Sequence, residues 1–415
     1  MKNTLQQLMY VATNLTRQGR LLDATRAIQR ALQGVKAAPV PPETQPSTAP
    51  ISVTATGPVT LDASAMQPGG NVFEVDTSSF QAAAMPFAAS ADALNGDGLQ
   101  PRSSTDAQLD VREVRGPGEF TSGTHTHLSQ TRRYKLFTPP DHAGRELPLV
   151  VMLHGCTQDP DDFAAGTGMN EAAREQGFYV LYPEQSQAAN PSRCWNWFKH
   201  GDQRRDSGEP ALLASMTQTV MEGRGIDRRR VFIAGLSAGG AMATIVAEAY
   251  PEIFAAVGVH SGLPRGAAAN VMEALAVMKS GAAKPAATTV GMRSQKHVPT
   301  IVFHGDQDRT VHPRNGEQVI AAVLANAALG DDQSQAIKVG RTDVEEGSTR
   351  QGRRYTRSTH RDASGNATAE HWLVHGAGHA WSGGDAQGSY TDASGPDATR
   401  EMLRFFFERG QRFAH

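Results

Sequence analysis

The stretch VFIAGLSAGGAMA, residues 231–243, constrains this chain more than any other, because it holds a strand, a forced turn and a helix start together. Val231, Phe232, Ile233 and Ala234 form an apolar run rich in strand formers, and residues 242–250 read as helix until Pro251 stops it. Between them, Gly235-Leu236-Ser237-Ala238-Gly239 follows the G-x-S-x-G pattern, in which a serine sits at a strained strand-to-helix turn. The glycines on both sides let strand and helix approach closely. Such a turn lifts the serine hydroxyl to the end of a sheet, which makes Ser237 a candidate nucleophile. The alternative is a tight turn with an incidental serine, and the strand before it and the helix after it argue against that.

The bulk numbers narrow the chemistry. Lys and Arg number 40 against 42 Asp and Glu, for a formal net charge of −2 over 415 residues. That balance gives no field to hold nucleic acid or an anionic membrane and favours a neutral substrate. No window approaches a transmembrane span, and the longest apolar run near the start, residues 8–12, is too short for a secretory core, so a conventional signal peptide is not expected. The two cysteines, Cys156 and Cys194, exclude a disulfide framework and an all-cysteine zinc site. One bridge between them is open, and in the chain-entropy model it would contribute roughly 4 kcal/mol.

Residues 1–34 carry apolar side chains at helical spacing, Leu5, Leu8, Ala12 and Leu15, then Leu21, Ala24, Ile28 and Leu32 beyond Gly19, which predicts a helical hairpin. Its apolar face needs a partner: the catalytic part of its own chain, a second subunit, or a polymer granule or membrane surface. Residues 35–108 turn to Pro, Ala, Ser, Thr and Gly without a sustained period and read as a flexible linker. From residue 109 onward, strands at 131–138, 149–153, 178–182, 231–234, 255–259, 300–303, 355–361 and 370–374 are interleaved with helices at 162–176, 211–222, 242–250 and 397–409. Such alternation predicts an α/β fold with a doubly wound, mostly parallel sheet. The Ala- and Met-rich insertion 265–297 is either a lid or a helix decorating the sheet edge.

A serine hydroxyl is a poor nucleophile at neutral pH and needs a base held by an acid. On this topology, acid and base follow the serine in chain order, each on a loop after a later strand. After the 300–303 strand comes His304-Gly305-Asp306-Gln307-Asp308; after the 370–374 strand comes His375-Gly376-Ala377-Gly378-His379. Asp308 is favoured over Asp306, because a carboxylate directly after Gly305 tends to satisfy its own turn. His379 is favoured over His375, which still belongs to the strand end. No metal site is expected, since no third ligand stands at suitable spacing near these histidines. The oxyanion of a tetrahedral intermediate needs two backbone donors, and the amides of Ala238 and of Cys156, in the loop after the 149–153 strand, stand where they are required.

Five ordered motifs then resemble one family: HGCTQ at 154–158, CWNWF at 194–198, GLSAGGAM at 235–242, HGDQDRTV at 304–311 and GHAWSGG at 378–384. They are similar to the polyhydroxybutyrate depolymerase-type esterases of the α/β-hydrolase fold, a group related to feruloyl and acetylxylan esterases. The resemblance covers about residues 134–409 and implies a Ser237, Asp308 and His379 triad. It also puts Trp195 and Trp197 near the substrate. With Trp381 and His154 beside other motif residues, these four are candidate substrate contacts, packing beneath the site being the alternative for the tryptophans.

The resulting expectation is a serine carboxylic-ester hydrolase without a cofactor, acting on polyhydroxybutyrate or its oligomers. Feruloyl or acetylxylan ester hydrolysis is the alternative. A non-catalytic granule-binding protein, working through self-association or granule contact of its N-terminal helices, is the alternative of another class. The missing signal points to the cytoplasm, and a Cys156–Cys194 bridge would instead fit secretion by an unconventional route.

Overall fold

The computed structural model describes residues 116–281, 297–328 and 339–410, all within the compact unit Ser103–His415. The helical hairpin expected over 1–34 and the linker over 35–108 lie outside the described residues, as do residues 282–296 of the 265–297 insertion. In chain order the first elements are β1 (Glu119–His127), β2 (Gln130–Thr138), β3 (Leu147–Leu153), α1 (Pro160–Thr167), α2 (Met169–Gln176), β4 (Tyr179–Pro183), α3 (Gly208–Glu222), β5 (Ile226–Leu236), α4 (Ala238–Ala249) and β6 (Ala256–His260). They continue with α5 (Val271–Ser280), β7 (Thr300–Gly305), α6 (Arg314–Ala328), β8 (Val339–Ser348), β9 (Arg354–Asp362), β10 (Ala367–Val374), the short pair β11 (Trp381–Ser382) and β12 (Thr391–Asp392), and α7 (Ala398–Gly410). Among the described residues no helix is long and apolar enough to cross a membrane.

Ten strands form one sheet in the order β1-β2-β4-β3-β5-β6-β7-β10-β9-β8. The central run from β4 to β10 is parallel, as the alternating pattern predicts, while β1 with β2 and β8 with β9 add antiparallel margins. The parallel strands are covered on both faces, so their sequences are continuously apolar. In β3, Leu149, Val151 and Leu153 enter one core while Val150 and Met152 enter the other, all with no exposed surface. Each such side chain contributes about 1.5–3 kcal/mol on burial.

Helices α3, α4, α5 and α6 supply the first core, and α1, α2 and α7 the second. The C-terminal α7 lays Phe406 flat on Phe232 of β5, with ring centroids 4.9 Å apart. The single helix expected over 162–176 is instead two, because Gly168 takes a left-handed conformation (φ 61°) and its N–H returns to Ala164 O at 3.1 Å, closing α1. Of the insertion, α5 is packed down: Ala274 and Val277 are buried, and Met278 O accepts the His312 N–H at 2.8 Å, beside the loop that follows β7.

Candidate active site

Ser237 directly follows β5 and caps α4 with φ 58° and ψ −119°, a conformation that costs a non-glycine residue about 1–3 kcal/mol. The surroundings enforce it. A Cβ at Gly239 would lie 2.0 Å from Leu153 O, and one at Gly235 would lie 2.4 Å from the Gly239 carbonyl carbon, so only glycine lets β3, β5 and α4 meet. The Ser237 N–H donates to His260 O at 2.8 Å, and Ser237 O accepts the Ala241 N–H at 3.0 Å. Ala238 opens α4, where an N–H has no intrahelical acceptor.

The turn after β3 lies against the serine: a Cβ on Gly155 would be 3.7 Å from Ser237 Cβ. Its amides are nearly all committed. Gly155 N–H donates to Gln158 Oε1 at 2.9 Å, Thr157 N–H to Ser192 O at 2.8 Å, and Gln158 N–H to Gly155 O at 3.4 Å. The Cys156 N–H finds no acceptor among the described residues. Cys156 is bonded to Cys194, which fastens this turn to the CWNWF loop.

Beneath the turn runs a buried polar network. His154 Nε2 accepts the Gln185 N–H at 3.1 Å, so its Nδ1 carries the proton and donates to Gly155 O at 2.8 Å. Burial pushes the His154 pKa down, which keeps the ring in that neutral form. Gln185 Nε2 donates to Cys194 O and to Glu209 Oε1, and Glu209 also accepts from the Asn196 backbone and side-chain amides at 2.7 and 2.6 Å. Burial and then Asp202 raise the Glu209 pKa, while these donors oppose the rise.

On the other side, Asp308 Oδ2 accepts from His379 Nδ1 at 2.7 Å. Its Oδ1 accepts the Thr310 and Val311 N–H groups at 2.9 and 2.8 Å, and His304 Nε2 lies 3.4 Å from Oδ2. Burial by itself would raise the carboxyl's pKa; hydrogen bonds from His304, His379 and the backbone outweigh it and hold Asp308 well below the usual carboxylate range. The competing pair is separate: Asp306 accepts from His375 Nδ1 at 3.1 Å and from the Gly376 N–H at 2.7 Å, tying the loop after β7 to the end of β10.

Ser237, Asp308 and His379 thus follow β5, β7 and β10, and β6 lies between β5 and β7. The link between nucleophile and base runs through His260, at the end of β6, which sequence reasoning missed. Its carbonyl takes the Ser237 N–H, its Nε2 accepts the Ser382 N–H at 2.9 Å, and its ring stacks on Trp381, two residues beyond His379. Burial, with the neighbouring His304 and His379, lowers its pKa to about 3, so the ring is neutral and Nδ1 donates to Ser261 Oγ. No motif marks such a residue; its signal is burial.

The structure places all four candidate substrate contacts in the interior. Trp195 and Trp381 have almost no exposed surface, and their Nε1–H groups donate to His154 O at 3.1 Å and Thr399 Oγ1 at 3.0 Å. Trp197 is 4% exposed and packs edge-on to Phe198, and both nitrogens of His154 are engaged internally. Large aromatic area is worth more buried beneath the site than left in water, so these residues support the loops from below.

A serine on a strained strand–helix turn, followed in chain order by an Asp–His pair at the ends of neighbouring parallel strands, defines an α/β-hydrolase. Residues 132–347 match the family Esterase PHB depolymerase, and the chain belongs to it. It is 32% identical over 239 residues to poly(3-hydroxyalkanoate) depolymerase C of Paucimonas lemoignei, covering 56% of this chain and 54% of that one. It is 28% identical to feruloyl esterase B of Thermothelomyces thermophilus over 44% of this chain and 66% of that one. The chain thus spans about half to two thirds of the length of these relatives. An acetyl xylan esterase from Aspergillus awamori shares the fold, with a TM-score of 0.51 and 18% identity over 69% of this chain and 99% of that structure.

Proposed function

We propose that this protein is a serine carboxylic-ester hydrolase acting through an acyl-enzyme. The observation that carries the reading is the 2.7 Å His379–Asp308 hydrogen bond on the strands that follow the strained Ser237 turn. Because Nδ1 is committed to Asp308, Nε2 of neutral His379 is the basic nitrogen. Ser237 Oγ attacks the ester carbonyl and its proton passes to His379 Nε2. The tetrahedral oxyanion takes the Ala238 and Cys156 amides as donors. Collapse expels the alkoxide, which leaves as the alcohol with the proton from His379. Water then attacks the acyl-enzyme, giving its proton to His379, and the acid departs as Ser237 is reprotonated.

The substrate class in this reading is an ester of the 3-hydroxybutyrate type, as polymer or oligomer, supported by the depolymerase relative; feruloyl and acetylxylan esters are the second reading, supported by the esterase relatives. For its location, the Cys156–Cys194 bridge favours an oxidising compartment over the cytoplasm. The test is a panel of 3-hydroxybutyrate oligomers, feruloyl esters, acetylated xylan and a short chromogenic ester, assayed with wild type and Ser237→Ala. Hydrolysis should fall by about 10³-fold or more in the variant. Equal rates in the two proteins would end the proposal, and ferulate released faster than 3-hydroxybutyrate would select the second reading.

A further inference from the structure

Burial of the three motif tryptophans leaves open which side chain meets the apolar part of the ester. We infer that Tyr390 does so: its ring is a substrate-contacting wall beside the oxyanion turn and sets preference for ester size. This rests on the esterase reading and adds a residue to it. At 47% exposed, Tyr390 is the most open aromatic side chain among the described residues. An exposed ring on a globular surface is a natural contact for an apolar ligand that also needs a polar handle nearby.

Its position is fixed from two directions. The Tyr390 hydroxyl lies 3.2 Å from Thr157 Oγ1, and Thr157 follows Cys156, whose amide is the upstream oxyanion donor. The Tyr390 carbonyl accepts the Trp381 N–H at 2.7 Å, two residues beyond the base His379. Residue 390 therefore joins the oxyanion turn, through its hydroxyl, to the loop beyond the base, through its carbonyl, and its ring is exposed.

The backbone supports the same conclusion. Tyr390 has φ 54° and Thr157 has φ 69°, both in the left-handed region that favours glycine. Two touching non-glycine residues in that conformation carry strain of a kind that collects at ligand contacts. Preceding residues hold it in place: the Ser389 N–H donates to Asp162 Oδ1 at 2.8 Å, and Gln158, which also caps Gly155, donates to Ser389 O at 3.1 Å. A bulky ring is thus presented to solvent on a rigid support.

The experiment compares wild type, Tyr390→Gly and Tyr390→Phe on two ester series, one growing in the acyl chain and one in the alcohol. Glycine suits φ 54°, so the variant removes the ring without straining the fold, and thermal melts check this. Tyr390→Gly should raise KM at least fivefold more for the larger members of one series than for its smallest ester, so that the ratio of large to small kcat/KM falls. Tyr390→Phe should keep the wild-type ratio of large to small esters. An unchanged ratio in Tyr390→Gly overturns the inference, as does a Tyr390→Phe variant that behaves like Tyr390→Gly, which would assign the effect to the hydroxyl on Thr157. A wild type inactive on every ester overturns the hydrolase reading itself and this inference with it.

Discussion

Asp308 offers the cleanest separation of orientation from presence in this site. Asparagine in its place keeps an oxygen for the Thr310 and Val311 amides, so the loop should hold, but its amide cannot stabilise an imidazolium at His379. Asp308→Asn should lower kcat by about 10⁴-fold with KM little changed, measured on a short chromogenic ester. A loss below tenfold would remove Asp308 from the proposed triad and turn attention to Asp306. Ser237, Asp308 and His379 could be nominated from sequence because each sits in a glycine-flanked motif after an apolar strand. His260 and Glu209 could not, because they act by satisfying backbone groups and only burial distinguishes them. Tyr390 was hidden for a related reason: its left-handed backbone and its contact with Thr157 join residues 233 positions apart.

At the scale of elements, the bridge between Cys156 and Cys194 joins the turn after β3 to the loop before α3. With a separation of 38 residues, its removal in a Cys156→Ala/Cys194→Ala variant should cost about 4 kcal/mol of stability in the chain-entropy model, read by urea denaturation. Activity should fall with it, because the Cys156 amide loses its tether; unchanged kcat would show that the turn is held by His154 and Gln158 alone. The central strands were legible because burial on both faces makes them continuously apolar. The antiparallel margins were less so: β8, with sequence VGRTDVEEGS, has no apolar alternation to announce it, and β1 was equally silent. The break at Gly168 also escaped the helical pattern, since periodicity continues in phase across a single left-handed residue.

For the whole molecule, buried neutral histidines set a limit on the acid side. Burial, then His304 and His379, takes His260 down to about 3; burial, then His304 and His360, takes His371 to about 4. Both lie below the unfolded value of 6.5, so the unfolded chain binds protons first as pH falls. Their contribution is whole above pH 6.5 and is lost on acidification at about 1.4 kcal/mol per pH unit for each, down to the folded pKa. The melting temperature should therefore drop steeply between pH 6.5 and 4.5, and His371→Leu, which removes a buried ring nitrogen that has no partner among the described residues, should flatten that slope. A melting temperature independent of pH across this window would contradict the assignment. The margin at β8 has a different consequence. Its outer backbone faces no other strand among the described residues, so it is the place where a stray peptide or a second copy would try to extend the sheet. Arg341 and Asp343 stand along it, Asp343 is paired to Arg361, and Glu345 to Arg357. Charge set along an open margin is how a protein with so wide a sheet guards against stacking end to end into aggregates.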